Sequence, residues 1–237
     1  MLGTIINVIL ILAGCLVGLV LRKGIPERIR DTVMQGLALA VVLIGAQGAL
    51  GISGTAINKV DTLCVIVSIA VGGMIGSAVN IEKRLDQLGQ SIERRFAAGG
   101  AQGGVSKAFV TASLVYCVGA MAIVGSIDSG IRGDYSTLIA KGIIDGITAI
   151  FFTSTMGIGV MLSAVAVFVY QGAITLLAGL LSPLLTDYTI AQMGATGSLL
   201  VIGVGLNLIR DRHINVGNLL PAIFMPIVYI PIAALFG

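Results

Sequence analysis

Lys141 and Asp145 are the sole formal charges in the 48 residues from Leu138 to Leu185. Their spacing of four puts both on one face of a helix, where cation and carboxylate can pair. A charge at mid-membrane costs about 2.5–3.5 kcal/mol on insertion scales, so an ionisable residue within an apolar span marks a candidate functional site. Asp145 falls about seven residues into its span, roughly 10 Å deep at 1.5 Å per residue. A carboxylate withdrawn from water holds a proton more readily, which suits Asp145 to binding a proton or cation with Lys141 as its counter-charge. Lys141, one turn shallower, can also snorkel to the interface. Thr148 and Thr155 continue the same face, with Thr153 and Ser154 beside them. Asp145 therefore belongs to a polar stripe, which needs water, a solute or another helix opposite it. The competing reading is structural: an ion pair and hydroxyls that bond neighbouring helices.

Neutral amides form the second group of candidates. Gln47, Asn80, Gln171 and Asn207 lie in or near apolar stretches, and an unpaired amide in hydrocarbon costs several kcal/mol. Gln47 and Asn207 are the preferred solute contacts, Asn207 sharing a face with Thr196 and Gly203; the others read as glue between helices. Thr4, Asn7, Gly14 and Gly18 share one face of the first apolar stretch, and Gly14 to Gly18 is a GxxxG pair suited to close packing.

Enzymatic chemistry finds no constellation. His213 is the single histidine, in the basic loop "RDRHIN". A GxxxxGK[ST] phosphate loop and a GxSxG elbow are both missing, and "GGVSK" lacks the strand that phosphate binding requires. Cys15, Cys64 and Cys117 show no metal-ligand spacing and read as small buried hydrophobes. The expectation is a protein that is no enzyme and holds no cofactor or metal.

The elements that position these residues follow from composition. Of 237 residues, 57% are hydrophobic and 11% charged, with a mean hydropathy of +1.05, far from the soluble norm of about a quarter charged. The chain reads as an all-α integral membrane protein, one polytopic domain over 1–237. A spanning helix needs about 20 apolar residues. Eight such stretches occur, near 2–21, 36–53, 62–80, 108–127, 138–159, 161–184, 190–209 and 215–236. The fifth and sixth meet at "MGIGV" without a charged loop, so a broken helix is an option there. The first stretch lacks a basic region before it and reads as a retained span. Pro221, Pro226 and Pro231 are expected to kink the eighth.

Charge sets the expected orientation. Eleven of the 14 Lys and Arg lie after span one, between spans three and four, and between seven and eight. The positive-inside rule then places both termini outside. The clusters answer to topology rather than to nucleic acid. In the longest loop, 82–107, Leu85, Leu88, Ile92 and Phe96 recur at helical spacing, predicting a cytoplasmic amphipathic helix followed by a Gly-rich tether, "AAGGAQGG". An internal match of Val33–Leu50 with Ala191–Leu208 pairs span two with seven, and Ile57-Asn58 with Ile214-Asn215 extends it to three with eight. Five spans separate each pair, the arrangement of an inverted repeat.

The segments "MLGTIINVILILAGCLVGLVLRKGIPERI", "NIEKRLDQLG", "KGIIDGITAIFFTSTMGIGV" and "YQGAITLLAGLL" resemble the bacterial inner-membrane family called domain of unknown function 554, the YqgA-like proteins. Lys141, Gly142, Asp145, Gly146, Gly157 and Gly159 match its fifth-span pattern. The resemblance implies a multi-spanning protein with a transport role, and it brings neither a substrate nor a functional residue. The expected function is thus a secondary transporter or facilitator of a small solute or ion, assembled as a homo-oligomer, most simply a dimer. Solute contacts would come from Asp145, Lys141, Thr148, Thr155, Asn207 and Gln47. An oligomeric ion channel lined by the Thr148 and Thr155 face is one alternative; a non-transporting scaffold or sensor using the loop helix is another.

Overall fold

A computed structural model describes residues 1–22, 24, 26–53, 56–57, 60–85, 87, 104–209 and 214–236. The Gly-rich tether, the amphipathic pattern beyond residue 87 and His213 lie outside them. Among the described residues the chain is an all-α membrane protein. Seven helices are long and apolar enough to cross a bilayer, and a bent pair makes an eighth.

The helices are α1 (Leu2–Arg22), α2 (Glu27–Ala49), α3 (Thr62–Val79), α4 (Gly104–Cys117), α5 (Ala120–Ile131), α6 (Ser136–Met156), α7 (Ser163–Leu176), α8 (Ala178–Leu181), α9 (Asp187–Ile209) and α10 (Met225–Phe236). Two 3₁₀ segments, Ile158–Leu162 and Val216–Phe224, precede α7 and α10. The second span ends at Ala49 instead of reaching 53, because Ile52–Ser53 pairs antiparallel with Ala56–Ile57 in a two-residue hairpin.

Glycine seams hold the bundle together. In lipid, helix association rests on close packing more than on hydrophobic burial, and small residues allow it. α1 and α6 run parallel: Gly3 meets Leu138, Gly142 meets Asn7, Gly14 meets the Gly146 carbonyl, and Gly18 meets the Ile150 carbonyl. α2 and α9 run antiparallel, with Gly48 against Ser198, Gly45 against Ile202 and Gly205 against Val42. The third seam joins α3 to the 3₁₀ segment Val216–Phe224, with Gly72 on Ala222 and Gly76 on Asn218. Asn218 Oδ1 then accepts from the Glu82 amide at 2.9 Å. The span pairs matched in the sequence, two with seven and three with eight, are thus antiparallel packing partners.

Two expectations about breaks change. The marked break falls in the fourth span: α4 and α5 are bent by 61° about Gly119, whose φ of 147° favours glycine. α6 is continuous to Met156, and the chain reverses at Gly157 (φ 85°). A side chain at Gly157 would meet only the movable end of Arg22, so it is the backbone conformation that requires glycine there. The proline-rich eighth span is tight 3₁₀ through Pro221 and becomes α-helical from Met225. Proline removes an amide donor from the helical ladder.

Candidate functional site

Lys141 and Asp145 are both buried, each 6% exposed, and the Lys141 ammonium donates to the Asp145 carboxylate. Gly142, between them, lets α1 approach until an ideal Cβ there would stand 3.0 Å from the Asn7 Cα. That approach sets Asn7 of α1 against the turn that carries the pair. Asn7 Nδ2 also donates to Gln171 Oε1 on α7 at 3.2 Å. The helix that carries the ion pair is thereby packed on α1, and α1 is joined to α7 by an amide pair.

The pair does not close on itself. Lys141 and Asp145 line a cavity of about 260 Å³, together with Gln47 and Gly48 of α2, Gly119 at the break, and Ser198 of α9. The cavity lies beside the bend of the fourth span at Gly119. A second cavity of about 320 Å³ lies at the Arg22 end of the bundle, lined by Arg22, Asp31, Lys107, Thr155 and Met156 among others. α2, α4, α6 and α9 contribute to the walls of both. From Asp145 to Thr155 is ten residues, roughly 15 Å of helix. That interval is filled by Val41, Ala112, Phe152 and Val204, all buried, with Phe152 stacked on Tyr116 at 6.2 Å between ring centroids.

The six residues singled out from the sequence are therefore divided. Lys141, Asp145 and Gln47 share the first cavity. Thr155 lines the second, its hydroxyl donating to the Phe151 carbonyl at 2.9 Å. Thr148 does not line the first cavity; its hydroxyl donates to the Ile144 carbonyl at 2.7 Å, the back-bonding typical of threonine in a helix. Asn207 is occupied elsewhere: Nδ2 donates to the Ile214 carbonyl and Oδ1 accepts from the Ile214 amide, both at 2.8 Å. It clamps the end of α9 to Ile214 and does not line the cavity of Lys141 and Asp145.

Sequence reasoning passed over Asn7 as a site residue and read Gln171 as glue. Its one available signal was Asn7 on the Gly14–Gly18 face of span one. Among the described residues no group of three or more His, Cys, Asp or Glu is placed to hold a metal ion.

A polytopic helical bundle with a buried ion pair facing a cavity at a broken span defines the class: a multi-pass membrane protein. The chain belongs to the family described as protein of unknown function DUF554, whose model matches residues 2–231. It is 32% identical to the uncharacterized membrane protein YdfK of Bacillus subtilis (strain 168), over all of this chain and 99% of that one. It is 28% identical to the uncharacterized protein YqgA of Escherichia coli (strain K12), over 94% of this chain and 93% of the other. No solved structure matches.

Proposed function

We propose that this protein is a secondary transporter or facilitator of a small solute or ion across the bacterial inner membrane, with both termini outside, and that Asp145 is its cation- or proton-binding group. The observation that carries the reading is that Asp145 and Lys141, deep in an apolar span, form part of a cavity wall at the break in the fourth span. A purely structural ion pair would gain from being sealed by helices; this one faces space. The second cavity, between the same four helices at the other end, supplies the opposite mouth. The packed layer around Phe152 is the barrier that alternating access must open. An inverted repeat, with spans two and seven as counterparts, would set the two mouths on opposite faces around one axis.

Asp145→Asn in proteoliposomes tests this reading. Uptake, or its coupling to the proton gradient, is lost while the variant elutes as a folded protein. Unchanged transport would remove Asp145 from the mechanism.

A further inference from the structure

The cavity around Lys141 and Asp145 also constrains its cargo. Resting on the carrier reading, we propose that it takes a small zwitterion, a molecule bearing an ammonium and a carboxylate on one short skeleton.

The argument begins with the pair itself. Each charge is the other's partner, and each side chain is 8% exposed. A simple cation that engages Asp145 displaces Lys141 and leaves two positive groups in a poorly hydrated space. A simple anion that engages Lys141 does the converse to Asp145. Either event leaves a buried charge uncompensated, the costly outcome for ion pairs out of water. A zwitterion exchanges partners at both ends at once, ammonium to Asp145 and carboxylate to Lys141, so every buried charge keeps a counter-charge.

Backbone at the break adds a second, independent source of both signs. Val118, Gly119 and Met121 line the cavity, where the C-terminal end of α4 meets the N-terminal end of α5. The terminal carbonyls of one helix favour a cation and the first amides of the next favour an anion. A span broken beside a cavity thus presents both polarities to one solute.

Size and wall chemistry narrow the class. A volume of about 260 Å³ lies below the usual range of about 300–1,000 Å³ for drug-sized ligands. Ile44, Val115, Met121 and Val201 supply apolar wall for a short side chain. The cavity at the opposite mouth is also lined by charges of both signs, Arg22, Lys107 and Asp31, so a dipolar solute meets both signs at each end of the path.

The test uses three compounds of matched skeleton on the full-length protein in detergent: alanine, ethylamine and propionate, with glycine and β-alanine as further zwitterions. Thermal unfolding should shift upward with zwitterion concentration and should not respond to ethylamine or propionate. Lys141→Met and Asp145→Asn should each abolish the shift. The double variant, in which no charge is orphaned, serves as a folded control that also fails to respond. Equal stabilisation by ethylamine or propionate, no stabilisation by any zwitterion, or a shift that survives Lys141→Met would overturn the proposal. Binding in detergent requires no transport. A zwitterion that binds but is not taken up by vesicles would therefore sink the carrier reading alone, and vesicle uptake of a singly charged solute with no zwitterion binding would sink this one alone.

Discussion

Gly14 of α1 lies directly on the backbone of Gly146 in α6, with no room for a Cβ between Gly14 and the Gly146 carbonyl oxygen. This contact sets the distance at which Asn7 meets Gly142, between Lys141 and Asp145, so packing of the seam and geometry of the site are one problem. Gly14→Val should destabilise the protein by about 1–3 kcal/mol or more, the usual cost of overpacking. Leu176→Ala on the 72% exposed lipid-facing surface should be close to neutral. Thermal unfolding in detergent separates the two; equal effects would contradict the seam.

Removing one member of the ion pair should cost more than removing both. Asp145→Leu strands the Lys141 ammonium in a buried setting and should destabilise by about 3–5 kcal/mol, whereas Lys141→Met combined with Asp145→Leu should restore most of that loss. Unfolding measured on both single variants and the double variant reads the coupling. A double variant as unstable as the worse single variant would show that the pair is not the unit.

Asn207 should behave as a clamp. Asn207→Ala removes two hydrogen bonds to Ile214, each worth about 0.5–1.5 kcal/mol net. Stability should fall by that order while solute binding in the Asp145 cavity persists. Loss of binding at unchanged stability would return Asn207 to the solute site.

Asp134, in the turn before α6, accepts from the Ser136 amide at 2.9 Å. That bond to the backbone amide holds its carboxyl below the ordinary carboxylate value. A depressed folded value stabilises the native state above the unfolded pKa, and the contribution disappears as pH falls through the folded one. Wild type should therefore be more stable than Asp134→Asn near neutrality, and the difference should fade as pH drops below about 4. A difference that is absent at neutral pH and emerges only in acid would be opposite in sign to this account.

Phe152 should act as the barrier between the two cavities. Phe152→Ala in vesicles should raise passive proton leak, followed with an entrapped pH dye, and should do so equally in the Asp145→Asn background. An unchanged leak in both backgrounds would place the path elsewhere.

How much of this was legible in the sequence depends on the range of the interaction. The Lys141–Asp145 pair is local, four residues apart on one helix, and spacing alone sufficed. The apolar spans and the Gly14–Gly18 face were legible for the same reason, since one helical period carries them. Which glycines face which was not: Gly146 opposite Gly14 and Gly142 opposite Asn7 are contacts between spans distant in sequence. The break at Gly119 escaped because hydropathy averages over a window and passes through a single glycine between two apolar helices. Thr148 and Thr155 were grouped with Asp145 by angle, but ten residues of rise carry Thr155 to the opposite cavity.

The central claim is that the Lys141–Asp145 pair borders a space that a solute can enter. Gln47 lines that space and is exposed, so Gln47→Cys, with Cys15, Cys64 and Cys117 replaced by Ala, reports on it directly. The account predicts rapid modification by a membrane-impermeant thiol reagent, slowed by alanine in proportion to its binding. A Gln47→Cys thiol that stays unreactive from both sides of the membrane, in folded protein, would contradict it.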